Sequence, residues 1–243
     1  MEFAFVPIID TMIVFYEKPR NSERFKDYLK ILQGSTKEDL ELPIGNSNPM
    51  GKDHVYQKLV ELKALDVEKI LEETLVELNK RLPKTPDTVF KIVLNLSDDL
   101  KGGWTNRYTT DYDSKFGSNA LLKRNFCTPI FWTSETYDKE MARHRTMEYA
   151  FRTVYRTAHS KPQTLKKHIE QEIFVARNAN EEKRVRPINF DELNSFYLKH
   201  QDSENYSLNF NFMYGDKISE SLAFPTYGVK DKMAGFKLAY HLN

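Results

Sequence analysis

Residues 206–214 read YSLNFNFMY, and how their alternation is taken decides the fold that the sequence suggests. Tyr206, Leu208, Phe210, Phe212 and Tyr214 fall on one face of an extended chain, with Ser207, Asn209, Asn211 and Met213 on the other. Side chains in a strand repeat every two residues, so the pattern predicts a strand with one large apolar face. Phe236, Leu238, Tyr240 and Leu242 repeat it near the C-terminal end, and Phe90, Ile92, Leu94 and Leu96 alternate with Lys91, Val93 and Asn95. Residues 126–133 offer a further strand, in which Pro129, lacking an N–H, suits an edge position or a bulge. Strands and helices are grouped rather than strictly interleaved. That predicts an α+β fold, a largely antiparallel sheet with several amphipathic helices packed on it.

Helices are marked by their ends. Pro19, Asn21 and Ser22 start one, Phe25, Tyr28, Leu29 and Leu32 follow at three- and four-residue spacings, and Gly34 stops it. Residues 34–52, rich in Gly, Pro, Asn and Ser, read as a surface connection. A second helical stretch runs from Asp53 to Leu82 with a break near Leu65, and Val67, Ile70, Leu71, Leu75, Leu78 and Leu82 form its core stripe. Residues 136–158, 164–177 and 190–200 complete the helices. The 243 residues suit one domain, 1–243, with a candidate sub-division at the two prolines of 82–87 into a helical part, 1–82, and an α+β part, 88–243.

Composition narrows the function classes. With 40% hydrophobic and 29% charged residues the chain has material for both a core and a solvated surface. A net charge of +1 argues against strong global attraction to nucleic acid or anionic lipid. Cys127, the only cysteine, excludes an internal disulfide framework and fits a reducing compartment. No stretch approaches the roughly 18–20 apolar residues that cross a bilayer, and the apolar opening, Phe3 to Tyr16, is interrupted by Pro7 and Asp10 and lacks a basic start. The expectation is a cytoplasmic protein without a membrane span.

His144 and Glu148 stand one helical turn apart, and His168 and Glu172 repeat the spacing on the next helix. A helical wheel puts both pairs on or beside the apolar arc of their helices, with His144 nearer the centre of its arc than His168. Imidazole and carboxylate at this spacing converge on a divalent metal, or the carboxylate orients an imidazole acting as base. His144, Glu148 and Arg152 are therefore the candidate catalytic residues, and His144, Glu148, His168 and Glu172 the candidate metal ligands. Arg152, four residues after Glu148, is its expected charge partner, and Glu140 offers His144 plain charge pairing.

Residues 98–113, DDLKGGWTNRYTTDYD, follow the end of a strand, where binding groups gather. Trp104, Arg107, Tyr108 and Asp111 are the candidate substrate-binding residues, the aromatics for stacking and the charges for polar contacts. Other signals fail. GNSNPMGKD, residues 45–53, has the wrong spacing for a phosphate loop and an aspartate where a hydroxyl is required. DYDSKFGSN, residues 111–119, has Lys115 and Phe116 where a calcium loop needs a ligand and glycine. No nucleotide-cofactor motif is present.

The function that follows is hydrolytic or acid/base chemistry on a small polar or anionic substrate in a polar His/Glu/Arg pocket. The alternative is a non-catalytic binding or assembly module. Between residues 143 and 186 eleven basic residues face five acidic ones, a surplus able to engage an acidic or nucleic-acid partner. The regular strand at 206–214 would also pair across a homodimer.

Overall fold

The computed structural model describes residues 1–34, 39–83, 88–100, 105–117, 120–179 and 189–243. The chain forms two compact units, Met1–Thr110 with Asn119–Ala150, and Asp111–Ser118 with Phe151–Asn243. The boundary expected at 82–87 lies partly outside the described residues, and the chain on either side of it belongs to the first unit.

The first unit is built on parallel strands. Strand β1 (Glu2–Phe5) is followed by helices α1 (Ile9–Glu17), α2 (Ser22–Gln33), α3 (Asp53–Ala64) and α4 (Val67–Arg81) before β2 (Val89–Ile92) pairs with it in parallel, Glu2 opposite Val89 and Phe5 opposite Ile92. Strand β3 (Asn95–Ser97) continues the line of β2. After α5 (Arg107–Tyr112), a π-helical turn at Asp113–Gly117 and α6 (Ala120–Lys123), the chain returns as β4 (Phe126–Cys127) and β5 (Ile130–Trp132). β4 pairs with β2 and β5 with β3, again in parallel. The N–H groups of Val93 and Asn95 reach the carbonyls of Cys127 and Pro129 at 3.1 and 3.0 Å, joining the two pairings. Pro129 stands where β4 gives way to β5, on the edge of this pairing.

No antiparallel pairing occurs among the described residues, so the expected antiparallel sheet is wrong. The physical reason lies in the middle strands. Val93, Asn95 and Ser97 are as deeply buried as Phe90, Ile92, Leu94 and Leu96, and only Lys91 and Val89 are exposed. A strand covered on both faces is a mark of parallel sheets, whose crossovers lay helices on them. Helix α4 packs on β1 through the stripe its sequence shows: Val67, Ile70, Leu71, Leu75 and Leu78 are all buried. Asn79 on α4 also closes the free edge of β1, its Oδ1 accepting from Phe3 N at 2.9 Å and its Nδ2 donating to Phe3 O at 2.8 Å. Glu68 Oε1 accepts the N–H groups of Ile8 and Ile9, at 2.6 and 2.9 Å, and so neutralises the start of α1.

Helix α7 (Lys139–Ala158) leaves the first unit, and the second is helical among its described residues: α8 (Leu165–Ala179), α9 (Phe190–His200), α10 (Tyr206–Tyr214), α11 (Asp216–Ser221) and α12 (Ala234–His241). The deciding stretch, YSLNFNFMY, is therefore α10, not a strand. Asn205 caps it, accepting from Leu208 N at 3.0 Å, and Gly215 closes it at φ 94°, its N–H on Asn211 O at 2.7 Å. Every residue from Leu208 to Tyr214 is buried. A helix buried all round has no polar face to reveal its period. The asparagines that mimicked a solvent face use their amide donors inside, Asn209 Nδ2 to Ser203 O at 3.1 Å and Asn211 Nδ2 to Asp216 Oδ1 at 2.9 Å, while both Oδ1 atoms are buried without a hydrogen-bond partner among the described residues. Residues 236–242 are likewise helical for the most part, in α12, which packs on α8, α9 and α10. A Cβ on Gly235 would lie 3.1 Å from Met213 Cα, so glycine is what lets α12 approach α10.

An aromatic cluster fills this unit. Tyr112 and Phe116 lie against His168, their ring centroids 5.6 and 4.6 Å from its own, and Phe210, Tyr214 and Phe236 pack on those two rings. His168 Nδ1 is 2.8 Å from Thr164 O and Nε2 2.8 Å from Tyr112 Oη. The carbonyl only accepts, so Nδ1 carries the proton and Nε2 accepts from the phenol. Burial lowers the pKa of His168, outweighing the bond to Thr164 O and the charge of Glu172, which raise it. The sign of the pH effect follows. As pH falls below about 6.5 the unfolded chain binds a proton that the folded unit refuses, so stability present above that pH is lost toward the depressed folded value. Urea unfolding should show a lower midpoint at pH 5.5 than at pH 7.5, with His168→Gln flattening the difference; an equal slope in both proteins would remove His168 as its cause.

Candidate active site

The carboxyl ends of β3 and β5 carry a network of polar side chains among the described residues of the first unit. Ligands of parallel α/β sheets gather at this end, because loops diverge there and leave a crevice. β1 leaves the sheet early, Val6 N–H making its last contact to Ile92 O at 2.9 Å. The place beside β3 goes to the loop before α3, which is pinned rather than a free surface connection. Ser47 Oγ lies 3.1 Å from both Asn95 Oδ1 and Leu96 O, Asn95 Nδ2 donates to Pro43 O at 3.0 Å, and Tyr16 Oη donates to Asn48 O at 2.7 Å.

This loop delivers α3, and with it His54 in the first turn. His54 Nε2 lies 2.8 Å from Asp98 Oδ1, just past β3. Asp98 is buried, and its Oδ1 also meets Thr133 Oγ1 and Leu100 N, each at 3.1 Å. A fifth of the His54 side chain is exposed. A carboxylate only accepts, so in the neutral ring Nε2 holds the proton and Nδ1 carries the lone pair. Among the described residues Nδ1 has no hydrogen-bond partner. The result is an oriented base: a buried aspartate behind an imidazole whose other nitrogen is unoccupied.

Neighbouring groups brace the same edge. Asp99 accepts from Ser134 N at 2.9 Å and from Arg107 Nη1 at 3.0 Å. Glu135 takes Arg145 Nη1 at 2.6 Å, Tyr137 Oη at 2.5 Å, and Arg107 Nη2. Burial alone would raise the Glu135 pKa, but the bonds from Arg145 and Tyr137 and the charge of Arg107 hold it below the usual range. Arg145 also lies over the rings of Phe131 and Tyr137, 5.4 and 5.2 Å from their centroids, and donates to Ile130 O. These charges are matched and hold β5 to the start of α7.

A cleft of about 260 Å³ is lined by Tyr16, Glu17, Arg24, Gly51, Lys52, Asp53 and Tyr56; His54 follows Asp53 in α3 but is not itself a lining residue. Burial drives the Tyr16 phenol pKa far up against the pull of Arg24, and the charge of Asp98 adds to the rise, which places Asp98 within electrostatic reach of the cleft wall. No known family, curated protein or solved structure matches the chain. Function has to be read from the site's own geometry, since fold alone does not specify it.

The residues singled out by spacing lie elsewhere. His144 and Glu148 are a helix pair at 3.3 Å with about a fifth of each side chain exposed, less buried than the wheel implied. On α7 Met147, Phe151 and Tyr155 of the wheel's apolar arc are buried, together with the small side chains of Ala142, Thr146 and Ala150, and His144 and Glu148 lie beside that face rather than within it. Arg152, His168 and Glu172 belong to the other unit. There Arg152 Nε and Nη2 bind the two Glu172 oxygens at 2.9 and 2.6 Å, while both His168 nitrogens are engaged as described. Among the described residues no three His, Cys, Asp or Glu are grouped to hold a metal ion. Trp104 lies outside the described residues. Arg107 is the brace between Asp99 and Glu135; Tyr108 sits in α5 with its N–H on Asn106 Oδ1 at 3.1 Å; Asp111, in the second unit, accepts from Lys115 Nζ and Tyr214 Oη, both at 2.7 Å.

Part of the basic surplus of 143–186 is spent internally, with two of its arginines paired to acids outside the segment. Arg143 pairs with Glu77 at 2.8 Å, Arg145 with Glu135, Arg152 with Glu172 and Lys167 with Glu170, whereas Lys183, Arg184 and Arg186 lie outside the described residues. Among the described residues no helix is long and apolar enough to cross a membrane. His54 went unread in the sequence because its partner is 44 positions away. Two acids ending a strand, and a histidine just inside a helix start, were the signals available.

Proposed function

We propose that the first unit is an enzyme that works by general acid–base catalysis on a small polar or charged substrate bound at the carboxyl end of β3, with His54 as the base and Asp98 as its positioning residue. The observation that carries this reading is the 2.8 Å His54–Asp98 contact at the carboxyl end of β3, with Nδ1 left unoccupied among the described residues. Asp98 selects the tautomer and stabilises the imidazolium once Nδ1 has taken a proton from water or substrate; the same nitrogen returns it to the leaving group. Arg24 and Lys52 offer positive charge to an anionic part of the substrate. The chemistry class is the one the sequence suggested, on a different histidine.

Hydrolysis of p-nitrophenyl acetate tests the base directly, because an activated ester needs little specific binding. Wild-type protein should hydrolyse it faster than buffer, and His54→Gln should lose roughly 10²-fold or more with an unchanged circular dichroism spectrum. Equal rates for the two proteins would end the assignment of His54 as base.

A further inference from the structure

Arg24 is the least compensated buried cation described in the first unit. It is 3% exposed, yet no carboxylate lies within ion-pair distance among the described residues. Its bonds run only to backbone carbonyls, Nη1 to Lys18 O and Nη2 to Gly51 O, both at 3.2 Å, and its Nε is buried without a partner. The guanidinium is held in place by ring faces, 4.7 Å from the Tyr16 centroid and 5.1 Å from that of Phe15. Burying a charge is costly unless an opposite charge meets it, and this one borders a cleft.

The other charges of that cleft, Glu17, Lys52 and Asp53, are exposed to solvent, and the field of Asp53 reaches Arg24 without an ion pair. Lys52 and Asp53 form no ion pair among the described residues, and Glu17 has only the Tyr56 hydroxyl, at 3.4 Å. Two cations and two carboxylates thus line one cleft of about 260 Å³ without pairing to one another. A polyanion such as phosphate would find its attraction to Arg24 and Lys52 opposed by Glu17 and Asp53. A cation alone would face the reverse. Only a ligand that carries both signs satisfies all four groups, and the walls between them are the rings of Tyr16 and Tyr56.

We infer that the cleft binds a small zwitterion of the α-amino-acid class, its carboxylate on Arg24 and Lys52 and its ammonium toward Glu17 and Asp53. This names the substrate class for the site proposed above and rests on that reading for what happens to the bound molecule. The binding itself does not need His54.

Isothermal titration calorimetry of the full chain tests it with glycine, L-leucine and L-phenylalanine, and with three controls: 3-phenylpropanoate, phenethylamine and inorganic phosphate. At least one amino acid should bind. Against L-phenylalanine, loss of either charged group should weaken binding tenfold or more. Lys52→Ala, an exposed substitution that spares the fold, should weaken the amino acid and 3-phenylpropanoate but not phenethylamine, and Asp53→Asn should weaken the amino acid and phenethylamine but not 3-phenylpropanoate. Arg24→Lys should weaken the amino acid further, with its thermal unfolding showing whether the fold survived. No binding by any of the three amino acids, or phosphate or 3-phenylpropanoate binding as tightly as the best of them, overturns the inference. Unaltered amino-acid binding in His54→Gln, alongside unaltered ester hydrolysis, would remove the base and leave the binding site standing.

Discussion

Glu172→Leu should destabilise the second unit by about 3–5 kcal/mol, because it removes both carboxylate bonds from the buried Arg152 guanidinium. The side chains are 6% and 4% exposed, and the two hydrogen bonds between them, at 2.9 and 2.6 Å, form the paired geometry that a guanidinium and a carboxylate favour. Gln171 Nε2 adds a third bond to Glu172 Oε1 at 3.1 Å. Removing both charges is a different matter. Arg152→Met combined with Glu172→Leu trades a desolvated ion pair for apolar volume and should restore most of the loss. Urea unfolding of the wild type, both single variants and the double variant forms the cycle that measures the coupling. A single-variant cost below about 1 kcal/mol would mean that water reaches Arg152 and that the pair is not a core element.

Asp98→Asn should lower the ester hydrolysis rate by roughly 10²–10⁴-fold, about 3–5 kcal/mol at 1.36 kcal/mol per decade, while the protein stays folded. The carboxylate can only accept, so it dictates that the neutral His54 ring keeps its proton on Nε2. An amide can turn its NH₂ toward Nε2, moving the proton to Nδ1, where it blocks the base, and it no longer offsets the imidazolium charge. Nitrogen chemical shifts of the imidazole distinguish the tautomers without any substrate. If the shifts stay those of the Nε2–H form and the rate is unchanged, Asp98 serves β3 and the Thr133 contact rather than the reaction. Asp99→Asn is the control: it loosens the Arg107 brace, so it should act on stability more than on rate.

How much of this was legible in the sequence follows from the range of each interaction. The cap of α2 at Asn21, its end at Gly34, the break between α3 and α4, and the α4 stripe were all readable, because each depends on residues within a few positions of one another. Capping and a 3.6-residue period are local physics. YSLNFNFMY failed for the opposite reason. Its alternation would have meant a strand had the asparagines met water, but Asn209 and Asn211 find partners in the folded interior, and only packing on all sides made a helix of it. Asn205 and Gly215 were local signs of that helix, outweighed by the period.

The site divides the same way. Sequence by itself determined the presence of a catalytic repertoire, six histidines amid abundant carboxylates and arginines, and the ends of the helices that carry it. It also placed His144 and Glu148 in contact, since one helical turn is a local distance. Tertiary structure decided which histidine stands before a buried carboxylate. His54 and Asp98 meet because α3 starts beside the carboxyl end of β3, a juxtaposition set by the bonds of Ser47 and Pro43 in the preceding loop to β3, about fifty residues away in sequence. It also decided which charges were spent, Arg152 on Glu172 and Arg107 on Asp99 and Glu135, and left Arg24 with none. Burial makes an unpaired charge consequential, and burial is a property of the folded chain alone.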